Sequence, residues 1–200
     1  KIRLGLKDNL DVSVYAKKEY NSFQMEEIRE GLQANLNVSF YSNPELSSSQ
    51  MEQIRLGLEA NLDVSIYANK KYSIGAMKEV RLALKQKFDM SKYLEEEYHY
   101  TQLEQIRLGL FNREMDISWY AKKEFTDEQM NKIRIGLEDN VDVSIYAKPE
   151  YTWEQMNIIL EGLKANVNIS LLADPDIDEY YMTQILFNLI KERKNNEKNI

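Results

Sequence analysis

Apolar and polar residues alternate along this chain in a pattern that recurs. From Ser22 to Ala34 the large apolar residues Met25, Ile28 and Leu32 follow i, i+3 and i+7 spacing, which predicts a helix of about three and a half turns with one buried stripe. A second apolar stretch follows at once, as in Val64-Ser65-Ile66-Tyr67-Ala68, and predicts a short helix. With the first residue of the IRxGL-like segment as marker, copies begin at Ile2, Ile28, Ile54, Val80, Ile106, Ile133, Ile159 and Ile185. Their spacings are 26, 26, 26, 26, 27, 26 and 26 residues, and one extra residue near Arg113 and Glu114 accounts for the single 27. A period of this length over nearly the whole chain marks a repeat architecture.

The element boundaries carry their own signals. Thr152 followed by Gln155 fits a capping box, in which the cap hydroxyl accepts from the third helical N–H and the Gln side chain accepts from the cap N–H. Tyr151 and Met156 occupy the two positions of a hydrophobic staple. The same grammar recurs in Tyr20-Asn21 with Gln24-Met25, Leu46-Ser47 with Gln50-Met51, and Phe125-Thr126 with Gln129-Met130. Three units depart from it: Ala76 and Tyr181 stand in the Gln slot, and His99 takes a cap position. At the far end of the long helix, Asn9, Asn35, Asn61, Asn140 and Asn166 sit where a helix closes on a left-handed residue. Asp11, Asp63, Asp89, Asp116 and Asp142, with Asn37 and Asn168, are N-cap types for the short helix, and Pro44, Pro149 and Pro175 lie just beyond it.

A helix pair this small cannot bury its apolar face alone, whereas stacked pairs share a continuous core. The expected fold is all-α: an α-solenoid of about seven to eight stacked 26-residue long-helix/short-helix repeats, with 1–190 a single helical-repeat solenoid and 191–200 a polar C-terminal tail. The last copy, Ile185-Leu186-Phe187-Asn188-Leu189, runs into that tail and is expected to hide the apolar end of the array from water. The first copy opens in mid-unit, so a parent chain is expected to carry further repeats upstream, and no signal peptide is expected. The motif M-x-x-I-R-x-G-L-x-x-N-x-D-V-S-x-Y-A resembles the short-repeat α-solenoids of HEAT-like and leucine-rich-variant type. It also looks like tandem repeats of bacterial proteins, often on mobile elements. The resemblance implies a shape and carries no activity.

Stacking would turn each repeat position into a column. Arg3, Arg29, Arg55, Arg81, Arg107 and Arg134 form one, interrupted by Leu160, about 60° from the centre of the apolar stripe at 100° per residue. The favoured reading is a row of inter-repeat bonds to Asp side chains, Tyr faces or helix-end carbonyls; the other is an arginine ladder for phosphates or acidic partners. Gly5, Gly31, Gly57, Gly109, Gly136 and Gly162 form a second column, with Ala83 in the odd copy. Glycine inside a helix costs about 0.8 to 1.0 kcal/mol relative to Ala, so close approach of the neighbouring repeat is the expected compensation. Ser13, Ser39, Ser65, Ser91, Ser118, Ser144 and Ser170 are expected to bond local backbone. Tyr15, Tyr41, Tyr67, Tyr93, Tyr120 and Tyr146 are expected to pack the core with the hydroxyl at its edge, a groove-facing row being the alternative.

Composition narrows function further. A content of 43% hydrophobic and 30% charged residues is ordinary for a soluble protein, and no apolar run approaches the roughly 18 residues of a membrane span, so no membrane partner is expected. The absence of Cys removes disulfides, thiolate catalysis and Cys-ligated zinc, and a cytoplasmic location is expected. His99 is the only His, so neither a Ser-His-Asp constellation nor a His-based metal site can be assembled. Asp174-Pro175-Asp176-Ile177-Asp178 imitates the opening of a calcium loop, but Glu179 stands where Gly belongs and Ile185 where the bidentate Glu belongs. No cofactor and no enzymatic activity are expected. A net charge of -7 disfavours a nucleic-acid partner. The expected function is a non-enzymatic protein-binding scaffold for a protein or peptide. The alternatives are a mobile-element-encoded inhibitor of a nucleic-acid-handling defence protein, and a nucleic-acid binder acting through the Arg column. Partner contact is expected where the copies differ, at Tyr93, Glu95, Glu96, Glu97, Tyr100, Phe111, Arg113 and Trp119.

Overall fold

The computed structural model describes residues 1–197; among them are nine α-helices, five single-turn 3₁₀ helices and no strand. The all-α class is therefore as expected. The α-helices are α1 (Ile2–Lys7), α2 (Ser22–Gln33), α3 (Ser48–Glu59), α4 (Ile74–Lys85), α5 (Ser91–Glu95), α6 (Tyr100–Phe111), α7 (Asp127–Glu138), α8 (Trp153–Lys164) and α9 (Glu179–Glu197). Two compact units, Lys1–Arg107 and Leu108–Ile200, divide the chain within α6. In the first, α2 packs on α3 and α3 on α4; in the second, α7 packs on α8 and α8 on α9.

Each long helix starts and stops by side-chain chemistry that local sequence dictates. Asn21, Ser47, Thr126 and Thr152 all form full capping boxes with Gln24, Gln50, Gln129 and Gln155. Each such cap is worth about 1 kcal/mol. At the other end Asn9, Asn35, Asn61, Asn140 and Asn166 take φ values of 58°, 55°, 54°, 55° and 49°. The N–H of Asn35 reaches the Leu32 carbonyl and that of Leu36 the Gly31 carbonyl, the two bonds of a Schellman motif. The extra residue near Arg113 replaces this closure: after α6 the Met115 N–H reaches Asn112 O and no residue there turns left-handed.

The second element is shorter than the apolar pattern predicts. It is one 3₁₀ turn, at Val12–Val14, Val38–Phe40, Val64–Ile66, Ile117–Trp119 and Val143–Ile145, each capped by the preceding Asp or Asn. The cap side chain takes the backbone N–H two residues on and closes the turn before a fourth residue can join it. Four of the Ser hydroxyls bond a side chain rather than the expected backbone. Those of Ser13, Ser39, Ser65 and Ser144 donate to the same cap oxygen, at 2.6 to 2.7 Å.

Two further expectations are corrected. The expected stripe is buried at its Met and Ile positions in α3, α7 and α8, while its Leu position is half-buried and the glycine is buried instead; in α2 Met25 too is only half-buried. The polar tail is helical through Glu197, as the end of α9, and residues 198–200 lie outside the described residues. That helix covers α8 with Met182 buried, but its outer face is not polar, since Tyr180, Tyr181 and Phe187 are all exposed.

Candidate interaction surface

The repeated columns are occupied from within the protein. In the first unit Arg55 Nε donates to Glu27 Oε2 at 2.9 Å, Arg81 Nε to Gln53 Oε1 at 3.1 Å and Arg107 Nε to Glu79 Oε2 at 2.7 Å. Each acceptor lies 28 residues earlier, on the preceding long helix. Arg29 clasps Glu26 on its own helix through Nε and Nη2, at 2.9 and 3.1 Å, and meets Asp8 at 3.5 Å. Arg134, in the second unit, pairs with Glu138 at 2.6 Å, while Arg3 is exposed. Inter-helix bonding is present at Arg29, Arg55, Arg81 and Arg107, to Asp8 in the first case and to Glu or Gln in the others rather than to Tyr faces or helix-end carbonyls. The Nε bond holds the guanidiniums of Arg55, Arg81 and Arg107 against the preceding long helix.

In the second unit the acceptor slot and the donor change together, whereas Arg29 is kept opposite Lys1 and turns to Glu26 on its own helix. Where the slot holds Lys132 or Ile158 in the second unit, the corresponding arginine is replaced by Leu160 or Leu186. A buried arginine without an acceptor would leave an uncompensated charge, so the two positions are lost together. The charge balance around the pairs is graded. Hydrogen bonding to Arg29 holds the Glu26 carboxyl down at about 2, against the opposing effect of burial. Burial pushes Glu27 up despite its bond to Arg55.

The tyrosines and glycines form one device. Tyr15, Tyr41, Tyr67, Tyr120 and Tyr146 are fully buried. Each hydroxyl lies where a β-carbon on Gly5, Gly31, Gly57, Gly109 or Gly136 would stand. The close approach that requires glycine therefore comes from the same unit's tyrosine, not from the neighbouring repeat. Tyr41 Oη donates to Glu27 O at 3.1 Å and Tyr67 Oη to Gln53 O at 3.3 Å, so the missing β-carbon admits the hydroxyl to a helix carbonyl. Burial pushes the Tyr67 hydroxyl up to about 12. Rings enclosed in this way offer nothing for bases or a peptide to stack on.

The capping glutamines have a second duty. Gln24 Nε2 donates to Pro44 O and Leu46 O at 3.0 and 2.6 Å, and Gln129 Nε2 to Pro149 O and Tyr151 O at 3.2 and 2.6 Å. Gln50 and Gln155 repeat the arrangement. The available signal was the recurrence of Gln, which has an amide to donate, where Glu would cap equally well. The calcium-like aspartates have turn duties: Asp174 accepts from Asp176 N and Asp178 from Tyr180 N.

The residues expected to contact a partner fall into two groups, one in each unit. In the first, Tyr93 is half-buried with its ring edge-on to Tyr98, centroids 5.6 Å apart; Glu95, Glu96 and Glu97 are exposed; and Tyr100 is 43% exposed. Tyr98, His99, Tyr100 and Glu97 line a cleft of about 300 Å³ with Leu94, Ala76, Ser73, Tyr72 and Lys71. In the second unit Phe111, Arg113 and Trp119 are exposed. Sequence reasoning missed Phe40, which is 41% exposed, and Leu171, which is 62% exposed. Phe40 shares with Trp119 the last position of the 3₁₀ turn, and Leu171 stands at the equivalent repeat position in a plain turn. No helix among the described residues is long and apolar enough to cross a membrane. No family model, curated protein or solved structure matches the chain.

Proposed function

We propose that this protein is a non-enzymatic scaffold that binds a protein or peptide partner, and that its helix pairs stack as an α-solenoid. One observation carries the functional reading. Most members of the arginine and tyrosine columns are bonded or enclosed within the fold, whereas apolar side chains at one repeat position stay wholly or partly exposed. In the first unit the row is Phe40, exposed, with Val14 and Ile66 half-buried; in the second it is Trp119 and Leu171, exposed, with Ile145 half-buried. Each member follows an exposed Ser and precedes a buried core residue, so one side of every turn faces the core and the other faces outward. Apolar residues scattered singly on a surface need no explanation, but recurrence at one repeat position does. Large aromatic and aliphatic side chains presented in this way are the usual anchors of protein interfaces.

The stacking reading is supported by helix-on-helix packing within each unit and by bonds that recur at spacings of 20, 22 and 28 residues. The experiment is affinity capture from the native host with the parent chain and with a Phe40→Ser/Trp119→Ser/Leu171→Ser variant. A partner captured by the parent and lost by the variant, with helicity unchanged, is the expected result. Equal capture by both chains, or tight salt-sensitive binding of RNA or DNA, would overturn the reading.

A further inference from the structure

The cleft in the first unit exists because one residue of the repeat grammar is missing. In α2, α3, α7 and α8 the third helical residue is a glutamine whose amide bridges to carbonyls 20 and 22 residues later. In α4 that residue is Ala76, buried and without an amide. The cleft lies between Ala76 and the segment from Leu94 to Tyr100, so it occupies the slot that a glutamine fills elsewhere. Its walls have been rebuilt around the gap. Gly75, outside the glycine column, makes room for Tyr100, whose ring and β-carbon would collide with any β-carbon at that position. His99 packs on Tyr100 with ring centroids 4.4 Å apart. Tyr72 and Tyr98 complete the aromatic lining.

The chemistry of the lining selects a cation. Lys71 already places its ammonium 4.7 Å from the centroid of the Tyr72 ring. Ring faces attract ammonium groups through their quadrupole, more strongly once water is excluded. Glu97 lines the same cleft, and Glu95 and Glu96 stand exposed just before it, so the mouth is acidic. We propose that the cleft receives the ammonium of a lysine side chain from a partner protein, which displaces Lys71 from the face of Tyr72. This deepens the scaffold reading and rests on it for the source of the lysine. In this arrangement Tyr72, Tyr98 and Tyr100 form the aromatic walls, Glu97 supplies the counter-charge, and Lys71 is a resident competitor that sets the affinity.

The test is an NMR titration of the full chain with N-acetyl-lysine methylamide, against N-acetyl-norleucine methylamide, which has the same alkyl chain and no charge. Saturable shifts confined to Tyr72, Ala76, Tyr98, His99 and Tyr100 are expected with the lysine probe, with about tenfold weaker binding of norleucine. Lys71→Met, an exposed position, should tighten lysine binding severalfold by removing the competitor. Ala76→Gln should abolish it by restoring the side chain that four other units accommodate, so loss of folding is not the cause. Norleucine binding as well as lysine, weaker binding by Lys71→Met, or absence of saturable shifts in every chain would each overturn the proposal. Failure here would leave the exposed apolar row intact as a docking surface, whereas failure of the capture experiment with a positive titration would remove the scaffold and keep the cleft.

Discussion

The segment from Asn21 to Tyr72, two units long, and the segment from Ser73 to Tyr100, about one unit long, share a repeat grammar and have different outcomes. In the first, Gly31 and Gly57 admit the hydroxyls of Tyr41 and Tyr67 beneath the helix, and Gln24 and Gln50 tie each helix start to the following loop. In the second, Ala83 and Ala76 stand in the glycine and glutamine slots. The Ala83 β-carbon takes the space a hydroxyl would need, and Tyr93 is half-buried instead of enclosed. Leu94, where the other units have Ala or Ser through position 68, is buried, and the short element becomes the α-helix α5. Ala76 thus lines an open cleft with aromatic walls, and beside Ala83 the column tyrosine is left half-buried. The lesson is that the columns are coupled pairs, and that losing one member releases the other for surface use.

The largest expected break in this contrast is truncation of the tyrosines. Tyr67→Ala should cost about 3 to 5 kcal/mol, as for other large buried aromatics, whereas Tyr93→Ala should cost under about 1 kcal/mol, both read by urea unfolding. Next comes Gln24→Ala, which imitates Ala76 in a regular unit. It removes the reciprocal half of a capping box and two bonds to carbonyls, and should cost about 2 kcal/mol in the same assay. Gly57→Ala should be destabilising by about 1 to 2 kcal/mol, because overpacking against Tyr67 outweighs the helix-propensity gain. The reverse change, Ala83→Gly, should cost about 1 kcal/mol from propensity alone.

Smaller still is the acid limb of stability. Hydrogen bonds from the Ser hydroxyl and backbone hold Asp11, Asp116 and Asp142 below the ordinary carboxylate range, and the Arg29 bond holds Glu26 at about 2. Groups lowered by folding stabilise above their unfolded value and lose that contribution as pH falls through the folded value. Stability should therefore decline from about pH 4 toward pH 2, and Glu26→Gln should flatten the lowest part of that decline. Glu27, raised by burial, acts with the opposite sign, so Glu27→Gln should steepen the decline slightly.

What could be read from the sequence was what acts within a few residues. The capping boxes at Asn21, Ser47, Thr126 and Thr152, the left-handed Asn closures and the caps at Asp11, Asp63, Asp116 and Asp142 depend on partners at most five positions away and are as the residues predict; Asp89 is the exception, since Met90 stands at the N-cap of α5. What could not be read was which distant group each column meets. The second bonds of Gln24, the enclosure of Tyr67 by Gly57 and the acceptor of Arg107 depend on how one element lies on another. Traces were present: Gln kept where Glu would cap, Gly kept ten residues before Tyr, and Leu160 appearing once Lys132 fills the acceptor slot. Of the candidate contact residues, Tyr100 and Glu97 do line one cleft. The role of Ala76 was hidden, because an absent side chain is informative only when its usual partners are known.

The claim beneath all of this is that the repeated arginines belong to the scaffold. Arg107 and Glu79 are the best place to test it, being 12% and 5% exposed in their side chains. A double-mutant cycle of Arg107→Met and Glu79→Met, read by urea unfolding, should show each single change costing about 3 kcal/mol and the double costing far less than their sum. Two small and additive losses would contradict the account and return the arginines to the surface as ligands for something else.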